Sequence, residues 1–112
     1  MTVVIDRSPE AGGRGLGFNG GQLPNLAVAG CASNDLFREA AKRGIRLDRV
    51  RVVAQSDYSG SPATSTLIEY QVELSGDASD EALADLVAYV DEIAEIPNSI
   101  RRGTEVRLRV PS

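Results

Sequence analysis

Hydrophobic and polar positions change period along the chain, and each change predicts an element. "TVVID" (residues 2–6) is a short β-branched run and reads as a strand. "RVRVVAQSDY" (49–58) alternates at its start and reads as a second strand. "STLIEYQVELS" (65–75) keeps strict period two. Ile68, Tyr70, Val72 and Leu74 fall on one face, and Glu69, Gln71 and Glu73 on the other. That is a strand with one wet side, expected to pair antiparallel with 49–58 across the turn "SGSP". "TEVRLRV" (104–110) alternates again, and it is expected to close the sheet with Val106, Leu108 and Val110 inward.

Two stretches carry helical period. The first runs from about Leu23 to Arg43, with Pro24 suited to a first turn and Gly44 to the position just past the end. From Leu26 to Ala32 it holds no charge, and a helix apolar all round is expected to be buried all round. From Asp35 onward it becomes amphipathic, with Leu36, Phe37, Ala40 and Ala41 set against Arg38, Glu39, Lys42 and Arg43. One small domain rarely surrounds a helix, so a second subunit is expected to cover the apolar half. The second helix, "DASDEALADLVAYVDEIAEI", is capped by Asp77 or Ser79 and favoured by Asp80 and Glu81 in its first turn. Leu83, Leu86, Val87, Val90, Ile93 and Ala94 form its core stripe, and Pro97 is read as its end. The predicted order is β-α-β-β-α-β, an α+β chain in one domain over 1–112. Residues 1–22 would be a strand and Gly-rich loop, and 23–112 a helix-strand-strand-helix-strand core. By topology alone a ferredoxin-like sandwich is a fair alternative.

Composition narrows the chemistry. Of the 112 residues, 42% are hydrophobic, enough for a core. The formal charge is −4, aromatics are 4%, and no basic block appears, so nucleic-acid binding has no support. The arginines of "RLDRVR" (46–51) read as strand and turn solvation. No apolar run approaches the roughly 18 residues of a membrane span, and no signal-like segment opens the chain. The chain has no His, which removes Ser-His triads and His metal sites, and no metal or cofactor is expected. Six glycines crowd between Gly12 and Gly21, and that density makes a loop. Its spacing matches neither GxxxxGK[ST] nor a dinucleotide fingerprint, so it reads as a connector. Tyr58, Tyr70 and Tyr89 read as packing residues, and Asp91, Glu92 and Glu95 as a solvated helix face.

The single cysteine, Cys31, sits in the small-residue half of the first helix. It excludes an internal disulfide and fits a reducing cytoplasm. "LPNLAVAGCASNDLFREAAKRGIRLDRVRV", followed by "GDASDEALADLVAYVDEIAEIPNSI" and "VRL", resembles the osmotically inducible and organic hydroperoxide resistance family, OsmC/Ohr. The resemblance covers roughly residues 22–110 and rests on the order and separation of these segments. It implies an α+β fold in which two subunits wrap around each other with the central helices buried between them, hence a homodimer. It implies reduction of peroxides by two cysteines. The first attacks and becomes a sulfenic acid, and the second condenses with it to a disulfide that a dithiol reduces.

Cys31 matches the first cysteine of that pair. Ile96 stands where the second should precede Pro97. The acidic residue that the family carries upstream falls near Gly21, and much of the N-terminal strand meander, with its thiolate-holding arginine, is missing. Only a thiolate attacks peroxide, and a helix interior supplies no cation. Arg14 in the Gly-rich loop, or Arg7, is the expected thiolate stabiliser, from this chain or its partner. Two readings follow. In one, the chain is a dimeric module that has lost two-cysteine chemistry and holds a small apolar ligand beside the central helix. In the other, Cys31 is the nucleophile of a one-cysteine peroxidase that uses an external thiol as reductant.

Overall fold

The computed structural model describes residues 1–111. The chain forms α1 (Leu23–Lys42), β1 (Leu47–Ser59), β2 (Thr64–Gly76), α2 (Asp80–Ile93) and α3 (Glu95–Arg101), after a single 3-10 turn at Pro9–Ala11. β1 and β2 make a two-stranded antiparallel hairpin. Val50 pairs with Leu74, Val52 with Val72, Ala54 with Tyr70 and Ser56 with Ile68. The period-two pattern therefore sets the sheet's two faces. The inward face packs on α1 and α2 through Val50, Val52, Val72 and Leu74, around a centre of Leu36, Ala40, Leu86 and Val90.

Local sequence accounts for the helix limits. α1 begins at Leu23 with Pro24 in its first turn, where a missing N–H costs nothing. It ends before Gly44, whose φ of +67° lets the chain turn off the helix. The Ile45 amide then closes the exit on the Ala40 carbonyl at 2.9 Å. Ser79 is the cap of α2, its hydroxyl accepting from the Ala82 amide at 3.1 Å. Asp77 has another task. Its carboxylate accepts from the Arg46 amide at 2.7 Å and its own amide donates to the Arg46 carbonyl at 3.0 Å, which ties the end of β2 to the start of β1.

Several elements depart from the sequence expectation. Residues 2–6 form only a single bridge, Ile5 to Phe18. Residues 104–110 form no strand: period two marks residues that could pair but does not supply the pairing, and among the described residues β1 and β2 pair only with each other. Val106 is 95% exposed, Leu108 88% and Val110 76%. Pro97 does not end the second helix. The break comes at Ala94, which is extended, and Pro97 sits buried in the first turn of α3, where its missing N–H is again harmless. α1 is not sheathed all round. Val28 and Ala32 are buried, whereas Leu26 is 45% exposed. In its second half the inward positions are Asp35, Leu36, Glu39 and Ala40, so Phe37 faces out and Glu39 in. Helical geometry decides this: with Val28, Ala32, Leu36 and Ala40 stacked at i, i+4, position 37 is turned about 100° away.

Candidate functional site

Cys31 is a half-buried free thiol on α1, beside the buried Ala32. One and two turns further along lie Asp35 and Arg38, at i+4 and i+7, on the same side of the helix. Arg38 Nη1 meets Asp35 Oδ1 at 3.1 Å, and its Nε donates to Glu39 Oε2 at 2.9 Å. Lys42 Nζ reaches the same Glu39 oxygen at 3.1 Å. Asp35 and Glu39 are buried carboxylates, so these cations do more than decorate a wet surface: they neutralise charge that the fold has removed from water. Glu39's carboxyl lies below its ordinary range, chiefly because Arg38 donates to it and then because Lys42 does. Arg38's guanidinium is held above its ordinary value by Glu39 first and Asp35 second, with a smaller pull from the Cys31 sulfur. The sequence reading looked to the Gly-rich loop for a cation near Cys31 and passed over Arg38, although the i, i+7 spacing was visible.

Arg14 and Arg7 lie in that loop, where both backbone amides serve Asp6. The Asp6 carboxylate accepts from Arg7 at 2.8 Å, Arg14 at 3.1 Å and Leu16 at 3.0 Å. Those amides, Leu16's foremost, hold the Asp6 carboxyl below its usual range. The loop is thus an anion cradle already filled by its own aspartate, in keeping with its reading as a connector. Among the described residues no hydrogen bond links Arg7 or Arg14 to Cys31.

Ile96 is half-buried in the first turn of α3, and α3 packs on α1. A pocket of about 280 Å³ lies between α3 and β2 with Val28 of α1 at its wall, lined also by Leu67, Ile68, Tyr70, Pro97 and Ile100. Tyr70 and Arg101, which line it, belong to a polar cluster that the sequence did not reveal. The Tyr70 hydroxyl donates to Asp91 Oδ1 at 2.6 Å, and Arg101 Nη2 donates to the same oxygen at 2.6 Å. Arg101 Nη1 also reaches the Asp91 carbonyl and Asn98 Oδ1, both at 3.0 Å. Asp91 is therefore a half-exposed residue that also joins β2 to α3, beyond the solvated role the sequence suggested. Burial first and Asp91 second push the Tyr70 phenol well above its usual range. Tyr70, then Arg101, hold Asp91 below its own. Of the other tyrosines, Tyr58 donates to the Gly21 carbonyl at 2.7 Å and Tyr89 lies under the Arg43 guanidinium at 5.1 Å.

On the other side of α1 a larger groove, about 780 Å³, opens between the first turns of the helix and β1. Phe18, Leu26, Ala29, Val53 and Tyr58 give it an apolar lining. Asn25 is its polar anchor. Its amide Nδ2 donates to Ser56 Oγ at 3.0 Å, while its buried Oδ1 has no hydrogen-bond partner among the described residues. Among the described residues no group of three or more acidic or thiol side chains is placed to hold a metal. None of their helices is long and apolar enough to cross a membrane.

A helical hairpin packed over one face of a long antiparallel β-hairpin, with a cysteine on the central helix, defines a class of α+β protein. The OsmC-like protein family matches residues 12–109, and the chain belongs to that family. No curated protein matches it. Solved structures agree on the fold. It is similar to an organic hydroperoxide resistance protein OsmC from Legionella pneumophila, at 23% identity and TM-score 0.66, covering 90% of this chain and 74% of that one. It is similar to an OsmC-like protein from Mycoplasma pneumoniae, at 15% identity and TM-score 0.78, covering 93% and 74%. An OsmC-like protein of unknown function from Vibrio cholerae matches at 17% identity and TM-score 0.66, covering 87% and 70%. The ferredoxin-like alternative is thereby set aside.

Proposed function

We propose that this chain is an OsmC-like domain that has lost two-cysteine peroxidase chemistry, acts as a homodimer, and holds a small apolar ligand in the groove between α1 and β1. One observation carries the reading: a single cysteine in the chain, with Ile96 where the family's second thiol belongs. A sulfenic acid formed at Cys31 has no thiol in its own chain to condense with. The groove supplies the alternative. Its wall is apolar, and the free Asn25 Oδ1 asks for one hydrogen-bond donor, so the ligand class is an apolar molecule bearing a hydroxyl or amide N–H. What supports the dimer is the family resemblance together with the exposed apolar positions Leu16, Leu26, Phe37 and Leu67, which a second subunit would cover.

The test is a nuclear magnetic resonance titration with 1-octanol and, separately, octane. The expected result is saturable shifts at Phe18, Asn25, Leu26 and Tyr58, with octanol bound more tightly than octane and that preference removed by Asn25→Leu. Shifts scattered over the surface, or none, would overturn the ligand reading.

A second reading is favoured by Arg38. In it the Cys31 thiolate attacks the outer oxygen of an organic hydroperoxide, the O–O bond breaks, and the sulfenic acid and an alcohol form. An external thiol then displaces water to give a mixed disulfide, and a second thiol releases Cys31. The stabilising cation is Arg38, or Arg14 from the partner. Trapping of sulfenic acid after stoichiometric cumene hydroperoxide separates the two readings. Modification of Cys31 much faster than a free thiol, slowed by Arg38→Ala, establishes the peroxidase. Modification no faster than a free thiol establishes that Cys31 only packs.

A further inference from the structure

We infer that the groove between α1 and β1 takes a neutral, planar aromatic molecule that donates one N–H or O–H bond, of the indole or phenol class. The inference rests on the ligand reading proposed above and names the kind of molecule. Charge makes the first selection. Among the described residues that line the groove none is charged, so an ion entering it would shed water and meet no counter-charge. Hydrogen bonding makes the second, because the polar groups of the lining are largely spent on the fold. The Asn19 amide donates to Gln22 Oε1 at 3.0 Å and the Gln22 amide to Asn19 Oδ1 at 2.9 Å, a reciprocal pair just before α1. The Tyr58 hydroxyl donates to the Gly21 carbonyl at 2.7 Å, and Asn25 Nδ2 to Ser56 Oγ at 3.0 Å. Asn25 Oδ1 is left over, a buried acceptor whose cost falls when a ligand donates to it.

Aromatic walls make the third selection. Two of the chain's five aromatic side chains, Phe18 and Tyr58, line this one groove. They come from separate segments, the end of the Gly-rich loop and the end of β1, and both are anchored. The Phe18 amide donates to the Val4 carbonyl at 3.1 Å, and its carbonyl accepts from the Asp6 amide at 2.9 Å. Tyr58 is tethered through its hydroxyl to Gly21, where a Cβ would come within 3.3 Å of that oxygen. Each residue keeps exposed surface, 42% for Phe18 and 46% for Tyr58, so neither is used up in the core. Anchored rings offer a flat guest offset or edge-on contacts that a flexible alkyl chain does not make, and a rigid guest has little freedom to lose. Ala29, at i+4 from Asn25, lies on the same side of α1 and adds apolar surface next to the acceptor. The volume, about 780 Å³, is roomier than one fused ring pair, at roughly 30 Å³ per water-sized group. The natural ligand therefore carries its ring on a larger apolar body, and indole serves as the probe.

The test is a nuclear magnetic resonance titration of the full chain with three probes of similar size. Indole has rings and a donor, indene has the rings without the N–H, and 1-octanol has a donor without a ring. Indole is expected to bind about fivefold more tightly than either of the others. Its ring current is expected to move the methyl signals of Leu26, Ala29 and Val53, which line the groove. Phe18→Leu is expected to weaken indole about threefold and to leave 1-octanol unchanged. Asn25→Leu is expected to bring indole down to the level of indene. Circular dichroism confirms that the variants fold, and the ring-current shifts are read on the unaltered chain. If 1-octanol binds in the groove as tightly as indole, or indole is indifferent to Phe18→Leu, the aromatic inference is overturned and the ligand reading proposed above stands. Indene as tight as indole would overturn the donor requirement. No shift in the groove with any probe would overturn both readings.

Discussion

Tyr70, Asp91 and Arg101 show how far a residue's role can lie from its sequence appearance. Asp91 occupies a helix position that reads as solvated, but it accepts two 2.6 Å bonds and fastens α3, α2 and β2 together. The cluster gives a pH signature. Tyr70's folded pKa is raised, so its contribution to stability is whole below the unfolded value of about 10 and is lost as the pH rises through the folded value. Asp91's is depressed, so its contribution is present above about 3.9 and is lost as the pH falls. Tyr70→Phe is expected to cost about 1 kcal/mol at neutral pH and to flatten the alkaline decline in the urea midpoint. An unchanged alkaline limb would mean that the phenol does not hold its proton in the folded state. Arg38 teaches the converse lesson. Its spacing from Cys31 was legible, but its value depends on Asp35 and Glu39 being buried, and burial is a tertiary fact.

Among the elements, those with a strong period were legible and those that need a partner were not. α1 extends from Leu23 to Lys42 and β2 from Thr64 to Gly76, both within a residue of the sequence reading, because capping residues and period two are local signals. Ser79 in particular does what its position predicts. Ser79→Ala is expected to lower stability by about 1 kcal/mol, read as a shift of the urea midpoint with unchanged slope. Replacement of Asp77 instead would loosen the β1–β2 junction and leave the cap in place. The kink at Ala94 and the separate α3 were invisible because Pro97 is equally compatible with a helix's first turn and with its end.

For the whole molecule, the apolar surface is the main fact. Leu108 and Val110 stand almost free in a chain whose centre is closed around Leu36 and Leu86. The homodimer proposed above would convert this exposure into burial, and its apparent stability would then depend on protein concentration. The thermal midpoint is expected to fall steadily across a wide dilution series. A midpoint independent of concentration would argue for a monomer. The sequence by itself determined the α+β class, the antiparallel hairpin, the two main helices and the absence of a second thiol, since these follow from periodicity, caps and residue identity. Only the tertiary structure decided that Asp6 fills the Gly-rich loop, that Glu39 turns inward and Phe37 outward, that Asp91 is a junction, and that a groove opens beside Asn25. Each of these depends on which surfaces meet, and contact between residues distant in sequence leaves no local signal.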